Sequence, residues 1–369
     1  MVRWRSGTVT GIRRRWRDAV ELDVAIDDGP TRALAYPRLV GEPEPGDRVL
    51  LNVGALLMGL GTGGYALVVA IPDRLPVDPP GGADRDDGHL VKARYTPLQA
   101  IVCGVDEEAS PHRRVLAEAE DLTGMPVVTA DLHSALPAIV VGALADRPGL
   151  RIAYVMTDGG ALPAGFSRTL AGLAATIVGT VTVGQCFGGD LEATTTHSGL
   201  LAARHVLHAD VTVLCQGPGN LGTGTRWGFS GVAVGEAVNA AAVLGGRPIG
   251  ALRISAADPR PRHRGVSHHS VTAYGRVALT PADLVVPTEL PAQIAAEVDA
   301  ALAGLAAPVG RHRVVRVATD GLDAALRASP VPLRTMGRDL AGDHAYFVAC
   351  AAAGRYAATL VDRTGTREG

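Results

Sequence analysis

The chain has 369 residues, of which 47% are hydrophobic and 20% charged, a composition that indicates a globular protein and excludes a disordered one. The formal net charge of −2 at pH 7 gives no global attraction to nucleic acid or to an anionic membrane surface. Apolar runs are interrupted before they reach the roughly 20 residues of a membrane span. The basic N-terminal segment has no apolar signal-peptide core, so we expect a cytoplasmic protein.

Residues 1–72 contain short segments rich in Val, Ile, Leu and Thr, separated by turn signals such as DDGP and PEPGD. Because no helical period interrupts GTVTGI, AVELDVAI, TRALAYPRL and DRVLLNVG, we predict a small N-terminal β-barrel-like domain, SH3-like or OB-like. Such barrels often bind nucleic acid, and four arginines between Arg13 and Arg17 surround Trp16. A single patch of this kind is more typical of a solvated hairpin edge, so we do not expect nucleic-acid binding.

Residues 73–91 read as a linker, because Pro, Gly and Asp dominate DRLPVDPPGGADRDDGHLV and no apolar period is present. In residues 92–369, apolar runs alternate with Ala- and Leu-rich segments of helical period. The predicted strands are LQAIVCGV, MPVVTADL, LRIAYVMTD, TVTVGQC, DVTVLCQG, PIGALRIS and HRVVRVATD. This alternation predicts a Rossmann-like α/β domain with a doubly wound, mostly parallel sheet that holds the active site.

Ligands of open parallel sheets bind beyond the carboxyl ends of the strands, so the residues after each predicted strand are candidates. Small or ionisable side chains follow nearly every strand. They include Asp106, Glu107, Asp131, His133, Thr157, Asp158, Cys186, Gly188, Gly189 and Asp190. The repetition of this pattern predicts one shared site at one edge of the sheet.

The segment QGPGNLGTGTRWGFSG joins a predicted strand to a predicted helix and is rich in glycine. Backbone N–H groups of such a loop, with the helix N-terminus, suit a phosphate or carboxylate. The predicted anion-binding residues here are Gly217, Gly219, Asn220, Gly222, Thr223, Gly224, Thr225, Arg226 and Ser230. It is neither a Walker A loop nor a dinucleotide fingerprint, and a flexible lid or a cluster of tight turns is the alternative.

The segment SAADPRPRHRGVSHHS also follows a predicted strand and carries Arg260, Arg262, His263 and Arg264. Three interpretations stay open: an anion clamp, a metal site and a solvated basic loop. Arginine suits bidentate binding of phosphate or carboxylate, which favours the clamp.

A metal site would use His263, His268 and His269, completed by a residue from another strand end. The candidates for that residue, and for metal binding generally, are Asp131, His133, Asp158 and Asp190. In a strand, however, the adjacent His268 and His269 would point to opposite faces, so at most one would ligate.

The segment FGGDLEATTTHSG is open to two interpretations. Thr194 to Thr196 either cap the following helix, or the segment presents Asp190 and His197 to the cleft.

Four stretches of the chain carry a resemblance: GPGNLGTGTRWGFSG, SAADPRPRHRGVSHHS, LRTMGRDLAGDHAYFVACAAAG and LNVGALLMGLGTGGYALVVAIP. Together they resemble a bacterial family known only as domain of unknown function 3866, found mainly in actinobacteria and firmicutes. The resemblance spans nearly the whole chain. It implies an established unit but brings no activity, substrate or catalytic residue.

The residues therefore lead to the expected function: an enzyme, a hydrolase or group transferase, acting on a small phosphorylated or anionic metabolite. The expected acid or base is His268, His197 or His133, because histidine titrates near neutral pH. Asp158 and Asp190 are expected to orient the histidine or to hold Mg²⁺.

The alternative function is a non-catalytic sensor that binds a nucleotide-like ligand, with the β domain contacting a partner. Ala-rich helices such as AVNAAAVLGG are open to packing in a homodimer or in the core.

Overall fold

The computed structural model of the protein describes residues 2–60, 63–76 and 88–361. These residues form a closed β-barrel and an α/β domain on a parallel sheet, which confirms the predicted fold class. Much of the predicted linker lies outside the described residues, so its limits, and the domain boundaries at residues 72 and 92, stay predictions.

The N-terminal barrel is built from β1 (Trp4–Trp16), β2 (Ala19–Ile26), β3 (Gly29–Ala35), α1 (Pro37–Val40), β4 (Arg48–Asn52), α2 (Gly54–Leu57) and β5 (Ala66–Ala70). The strand order is β1-β2-β3-β5-β4, with the barrel closed between β4 and β1. All neighbours are antiparallel except β3 and β5, which are parallel. Apolar side chains such as Val9, Leu22 and Leu51 fill the interior.

The basic patch of the barrel packs against the α/β domain. The indole N–H of Trp16 donates to the carbonyl of Gly165 at 2.8 Å, and a guanidinium N–H of Arg17 donates to Asp190 at 3.0 Å. Two further arginines of the patch form ion pairs with acidic side chains of the barrel. Much of the positive charge of this patch is therefore neutralised by acidic residues of the same molecule.

The α/β domain contains the following elements in chain order: β6 (Leu90–Lys92), β7 (Ala100–Val102), α3 (Arg113–Glu118), β8 (Pro126–Ala130), α4 (Leu136–Asp146), β9 (Ile152–Thr157), α5 (Arg168–Leu173), β10 (Gly179–Thr182), β11 (Leu191–Glu192), α6 (Thr196–His205), β12 (Val211–Gln216), α7 (Val234–Val243), β13 (Arg247–Ala251), β14 (Ile254–Ser255), β15 (Gly265–Val266), α8 (His268–Thr272), β16 (Asp283–Pro287), α9 (Ala292–Ala303), β17 (Arg313–Val317), α10 (Leu322–Arg327), β18 (Arg334–Thr335), β19 (Arg338–Asp339) and α11 (His344–Thr359). Eight strands form one parallel sheet in the order β11-β10-β9-β12-β8-β13-β16-β17.

The central strands are apolar throughout because helices cover both faces of the sheet. Every residue of β8 and of β12 is buried. Helices α4, α10 and α11 pack on one face, and α6 and α7 pack on the other. The sheet is therefore doubly wound, as the alternating sequence pattern predicts.

Helices α4 and α11 pack with their backbones close together. A Cβ added at Gly142 would collide with the carbonyl oxygen of Ala351, and one added at Gly354 would collide with that of Ile139. Small residues are required at this crossing for steric reasons, while larger side chains such as Phe347 fill the core beside it.

Helix α6 begins with the capping arrangement that its threonine run allows. The hydroxyl of Thr195 accepts from the N–H of Ser198, and the hydroxyl of Ser198 accepts from the N–H of Thr195. This reciprocal pair satisfies two donors at the helix start, so the threonine run here serves the helix.

Two parts of the predicted strand series differ in the structure. The segment LQAIVCGV was expected in the parallel sheet, but β7 pairs antiparallel with β6 in a separate two-stranded sheet. In addition, β16 and α9 were not predicted from the sequence pattern. Since β16 starts at an aspartate and ends at a proline, only three residues carry its apolar signal.

None of the helices in the described ranges combines the length and apolarity needed to span a membrane.

Candidate active site

The candidate site lies where the connections of three neighbouring strands diverge. Strand β8 leads to α4 on one face of the sheet, whereas its neighbours β12 and β13 lead to α7 and α8 on the other. Open α/β sheets bind their ligands at the carboxyl ends of strands at such a switch point, and this part of the sheet edge is here called the crevice. Asp131 follows β8, Gln216 ends β12 and Arg253 follows β13, so these three residues mark the crevice.

Residues 219–229, here called the flap, form a largely exposed loop after β12. At its base, the N–H of Ser230 donates to the carbonyl of Leu221 at 3.0 Å, and the N–H of Leu221 donates to the hydroxyl of Ser230. Near its tip, the N–H of Thr223 donates to the carbonyl of Gly228 at 2.7 Å. These three N–H groups bond within the loop.

Asn220 fixes the base of the flap to the ends of the strands. Its Oδ1 accepts from Nε2 of Gln216 at 2.8 Å and from the hydroxyl of Ser230 at 2.9 Å. Nε2 of Gln216 also donates to the carbonyl of Asp131 at 2.8 Å, which links the exits of β12 and β8. Oε1 of Gln216 is buried without a hydrogen-bond partner among the described residues.

Buried ion pairs hold much of the charge in the arginine-rich segment. The carboxylate of Asp258 contacts three guanidinium groups: those of Arg253 (3.2 Å), Arg260 (2.8 Å) and Arg338 (3.3 Å). Burial alone would raise the pKa of Asp258, but the hydrogen bonds and charge of Arg260 and the charge of Arg253 outweigh it. The pKa of this carboxyl therefore lies well below its ordinary value.

The predicted clamp of three arginines does not form as a unit. Arg260 is held by the buried carboxylate described above, and Arg264 lies 3.3 Å from Glu297 of α9. Arg262 is exposed and makes no ion pair with a described residue. A Cβ built on Gly224 of the flap would lie 3.8 Å from Nη2 of Arg262. The flap and the arginine-rich segment therefore approach each other at Gly224 and Arg262.

Three histidines of the same segment, here called the histidine cluster, converge at the crevice. His263 ends a short 3-10 turn, and His268 and His269 begin α8. One ring nitrogen from each histidine can be chosen so that the three atoms lie within 4.8 Å of one another.

The expectation that His268 and His269 lie in a strand and point to opposite faces was wrong. Ser267 caps a helix instead, because its hydroxyl accepts from the N–H of His269. Successive residues of a helix are about 100° apart, so adjacent histidines can approach one centre. The serine before the histidine pair is the sequence signal that could have revealed this.

The histidine cluster is closely packed, but several polar atoms around it are unsatisfied. Phe229 of the flap stacks on His269 with ring centroids 3.8 Å apart. Oδ2 of Asp131 lies 3.4 Å from Nδ1 of His269 without hydrogen-bond alignment. Oδ2 of Asp131, Nδ1 of His269 and Nε2 of His268 are all buried. None of these three atoms has a hydrogen-bond partner among the described residues. Buried polar atoms are nearly always satisfied, so three exceptions together indicate a ligand site.

The local environment keeps two rings of the cluster neutral. Burial, reinforced by the positive charges of Arg253 and Arg260, lowers the pKa of His263 to about 3. Burial and the neighbouring His269 lower the pKa of His268 to about 4. Both rings therefore keep an unprotonated nitrogen at neutral pH.

His133 lies at the same edge of the sheet, but its ring is fully satisfied. Nδ1 lies 3.1 Å from the hydroxyl of Tyr154, and Nε2 lies 2.7 Å from the hydroxyl of Ser167. Burial lowers the pKa of His133 to about 4. Because both ring nitrogens are engaged, we leave His133 out of the site as an acid, a base and a metal ligand.

The other predicted acid–base and metal-binding residues lie apart from the cluster. His197 is exposed in the first turn of α6, which follows the edge strand β11. Asp158 accepts from the N–H of Gln185 at 2.9 Å, and Asp190 is bonded to the barrel. Of the predicted metal ligands, Asp131 is the one that contacts the histidine cluster.

Lys92, the only lysine of the chain, is a buried charge that the sequence pattern did not single out. Its Nζ donates to the carbonyl of Ala193 at 2.9 Å and lies 3.5 Å from a carboxylate oxygen of Glu192. Burial lowers the pKa of Lys92 and raises that of Glu192. The pair fastens β6 to β11 and is accounted for by this structural contact.

A second concave surface lies at the amino ends of the strands and is also rich in arginine. It is lined by Arg147, Arg151, Arg204 and Arg247. Each of these side chains donates to at least one main-chain carbonyl, so they cross-link chain segments. Four unsatisfied buried atoms, those of Asp131, Gln216, His268 and His269, lie at the crevice with Arg262, and we place the candidate site there.

A family model described as a protein of unknown function (DUF3866) matches residues 32–354. No curated protein and no solved structure matches the chain.

Proposed function

The chain belongs to the family described as a protein of unknown function (DUF3866), and from its site we propose an enzyme that acts on a small anionic metabolite. The metabolite binds between the flap and the histidine cluster, and the reaction is a hydrolysis or a group transfer. The observation that carries this proposal is the meeting of Arg262, the flap and three unsatisfied buried polar atoms at one switch point.

Arg262 is the residue that we assign to the anion. Its guanidinium is exposed beside Gly224, whereas the neighbouring Arg260 and Arg264 are engaged with acidic side chains. The pKa of His268 is lowered first by burial, then by His269 and then by the positive charge of Arg262. The arginine therefore acts on the cluster electrostatically. A planar guanidinium binds phosphate or carboxylate oxygens in bidentate fashion.

The flap supplies the cover of the site. Phe229 lies against two histidines, stacked on His269 and edge-on to His268. The loop is anchored at Asn220 and exposed beyond it, so it can change position at its tip while its base stays fixed. A cover of this kind limits access of bulk water to the reacting groups, as lid loops do in many enzymes.

The test is a melting screen of the full chain with phosphate, sugar phosphates and nucleotides. An anion at 100 times its dissociation constant stabilises by about 2.7 kcal/mol, which raises the melting temperature by a few degrees. We expect Arg262→Ala to lose most of this shift, because one charge-assisted contact contributes about 1.5–3 kcal/mol. Arg14→Ala is the matched control, since Arg14 is exposed on β1 and makes no ion pair with a described residue.

Two results would count against the proposal: no shift with any of these anions, or the same shift in wild type and Arg262→Ala. An anion that stabilises the protein is then assayed for turnover by release of inorganic phosphate. Binding without turnover would favour the sensor function over the enzyme.

A further inference from the structure

We propose that His263, His268 and His269 bind one divalent transition-metal ion, foremost Zn²⁺, through their ring nitrogens. The role that we give to the metal rests on the proposed function. Binding of the metal itself can be measured with no anion present.

The spacing of the three rings is within reach of a metal site. One nitrogen from each ring can be chosen so that all three lie within 4.8 Å of one another. Tetrahedral Zn²⁺ with bonds of about 2.0–2.1 Å places its ligand nitrogens roughly 3.4 Å apart. The rings of His263 and His268 have centroids 4.9 Å apart, and those of His268 and His269 4.4 Å apart. Binding of the metal therefore requires the three nitrogens to move closer together by up to about 1.4 Å.

Two oxygen atoms are placed to orient the rings. The hydroxyl of Ser267 lies 2.8 Å from Nδ1 of His263, which leaves Nε2 of that ring for the metal. Oδ2 of Asp131 lies 3.4 Å from Nδ1 of His269. Metal-bound histidines almost always have such a partner on their other nitrogen, often a carboxylate. Asp131 is therefore assigned as a positioning residue for His269.

The unsatisfied atoms support a ligand at this centre. Nε2 of His268, Nδ1 of His269 and Oδ2 of Asp131 are buried with no hydrogen-bond partner in the described part of the chain. A metal ion bound to His268 satisfies its Nε2 directly. It also draws the ring of His269 into a fixed orientation, in which Nδ1 can donate to Asp131.

The positive charges of Arg253, Arg260 and Arg262 oppose a cation at the cluster, and nearby carboxylates offset part of that opposition. The nearby guanidinium groups of Arg253, Arg260 and Arg338 converge on Asp258. Arg338 also contacts Asp343, at 2.9 Å. The carboxylate of Asp131 has no cationic partner besides His269 among the described residues, so it is the negative charge that offsets the metal.

The donor set selects the metal. Imidazole nitrogen suits Zn²⁺ and the neighbouring transition metals, whereas Mg²⁺ requires oxygen ligands. Three protein ligands leave one coordination position open, which is the arrangement of catalytic rather than structural zinc. An oxygen of an anionic metabolite held by Arg262 is the group that the open position would take.

The experiment uses the full chain, stripped with EDTA and titrated with ZnCl₂ by calorimetry, with CoCl₂ as a spectroscopic probe. We expect one Zn²⁺ per chain and the intense visible absorption of tetrahedral Co²⁺. His268→Ala should weaken Zn²⁺ binding by at least 100-fold, and Asp131→Asn by about 10- to 100-fold with an altered Co²⁺ spectrum. His197→Ala is the control and should bind as wild type does, because His197 is exposed and outside the cluster.

Metal-free melting curves establish that each variant is folded. If His268→Ala does not fold, Asp131→Asn and the wild-type Co²⁺ spectrum decide the question. The proposal is overturned if wild type takes up no Zn²⁺ at micromolar concentration, if bound Co²⁺ gives only the weak absorption of an octahedral ion, or if the folded His268→Ala binds as tightly as wild type. A negative anion screen with positive Zn²⁺ binding would reject the proposed function and leave this inference standing.

Discussion

The carboxyl edge of the sheet contains two regions of buried polar groups that differ in how their hydrogen bonds are satisfied. In the first, here called the satisfied layer, His133 is bonded at both nitrogens and Asp258 is surrounded by arginines. In the second, the histidine cluster, Nε2 of His268 and Nδ1 of His269 have no hydrogen-bond partner among the described residues.

The difference separates residues that hold the fold from residues that can bind something. A buried polar group with partners adds a modest net stability, but losing its partner costs the full desolvation of the group left behind. A native chain keeps an unsatisfied polar group mainly where a function requires it. Burial and residue type are similar for His133 and His269, so only their partners reveal the two roles.

The largest expected effect is the loss of Asp258 from the satisfied layer. Asp258→Ala would leave the buried Arg253 without its carboxylate, and breaking a buried ion pair from one side costs about 3–5 kcal/mol. Urea unfolding monitored by circular dichroism measures this. Asp299→Ala is the matched control, because its ion pair with Arg316 is exposed and should contribute about 0–1 kcal/mol. Equal costs in the two variants would contradict the structural role of the Asp258 network.

A smaller loss is expected from the histidine of the satisfied layer. His133→Ala removes one hydrogen bond of each of the buried hydroxyls of Tyr154 and Ser167, which keep their bonds to main-chain groups, so we expect destabilisation by about 1–3 kcal/mol. The same unfolding assay measures it, with His197→Ala as an exposed control expected to lie within about 0.5 kcal/mol of wild type. A neutral His133→Ala would show that the hydrogen bonds of this histidine do not support the fold.

The smallest effect on stability is expected in the histidine cluster itself. His268→Ala removes a half-buried ring whose Nε2 is unsatisfied, so in EDTA the stability should change by less than about 1 kcal/mol. With Zn²⁺ at 100 times its wild-type dissociation constant, wild type should gain about 2.7 kcal/mol and the variant almost none. A large loss of stability in EDTA would move His268 into the satisfied layer and remove the contrast between the two regions.

The sequence anticipated elements whose signal is local and repeated. Alternating apolar residues predicted the barrel, and buried runs such as VTVLCQ predicted the parallel sheet. The threonine run offered a cap for α6, and Thr195 provides it. Where the local signal was weak or misleading, as for β16 and β7, the prediction missed the strand or placed it in the wrong sheet.

The candidate site was anticipated only in part. The histidines and the exit of β8 were identified as candidates, but the assumed strand separated His268 from His269 until the cap at Ser267 showed a helix. Arg260, Arg262 and Arg264 were taken as equivalent, although of these three it is Arg262 that makes no ion pair with a described residue. The contact of Phe229 with the histidine cluster could not be predicted, because no sequence pattern indicates the direction of this side chain.

The sequence by itself determined most of the alternation of strands and helices, the barrel, and the presence of polar residues at the strand exits. These features depend on the spacing of apolar and polar residues along the chain, which can be read from the sequence. Only the tertiary structure decided which charged side chains form ion pairs within the molecule. The carboxylate of Asp258 meets Arg338 from 80 residues away, and that meeting depends on how distant segments pack. A side chain is free for a ligand only if no such partner reaches it, and this is a property of the folded chain.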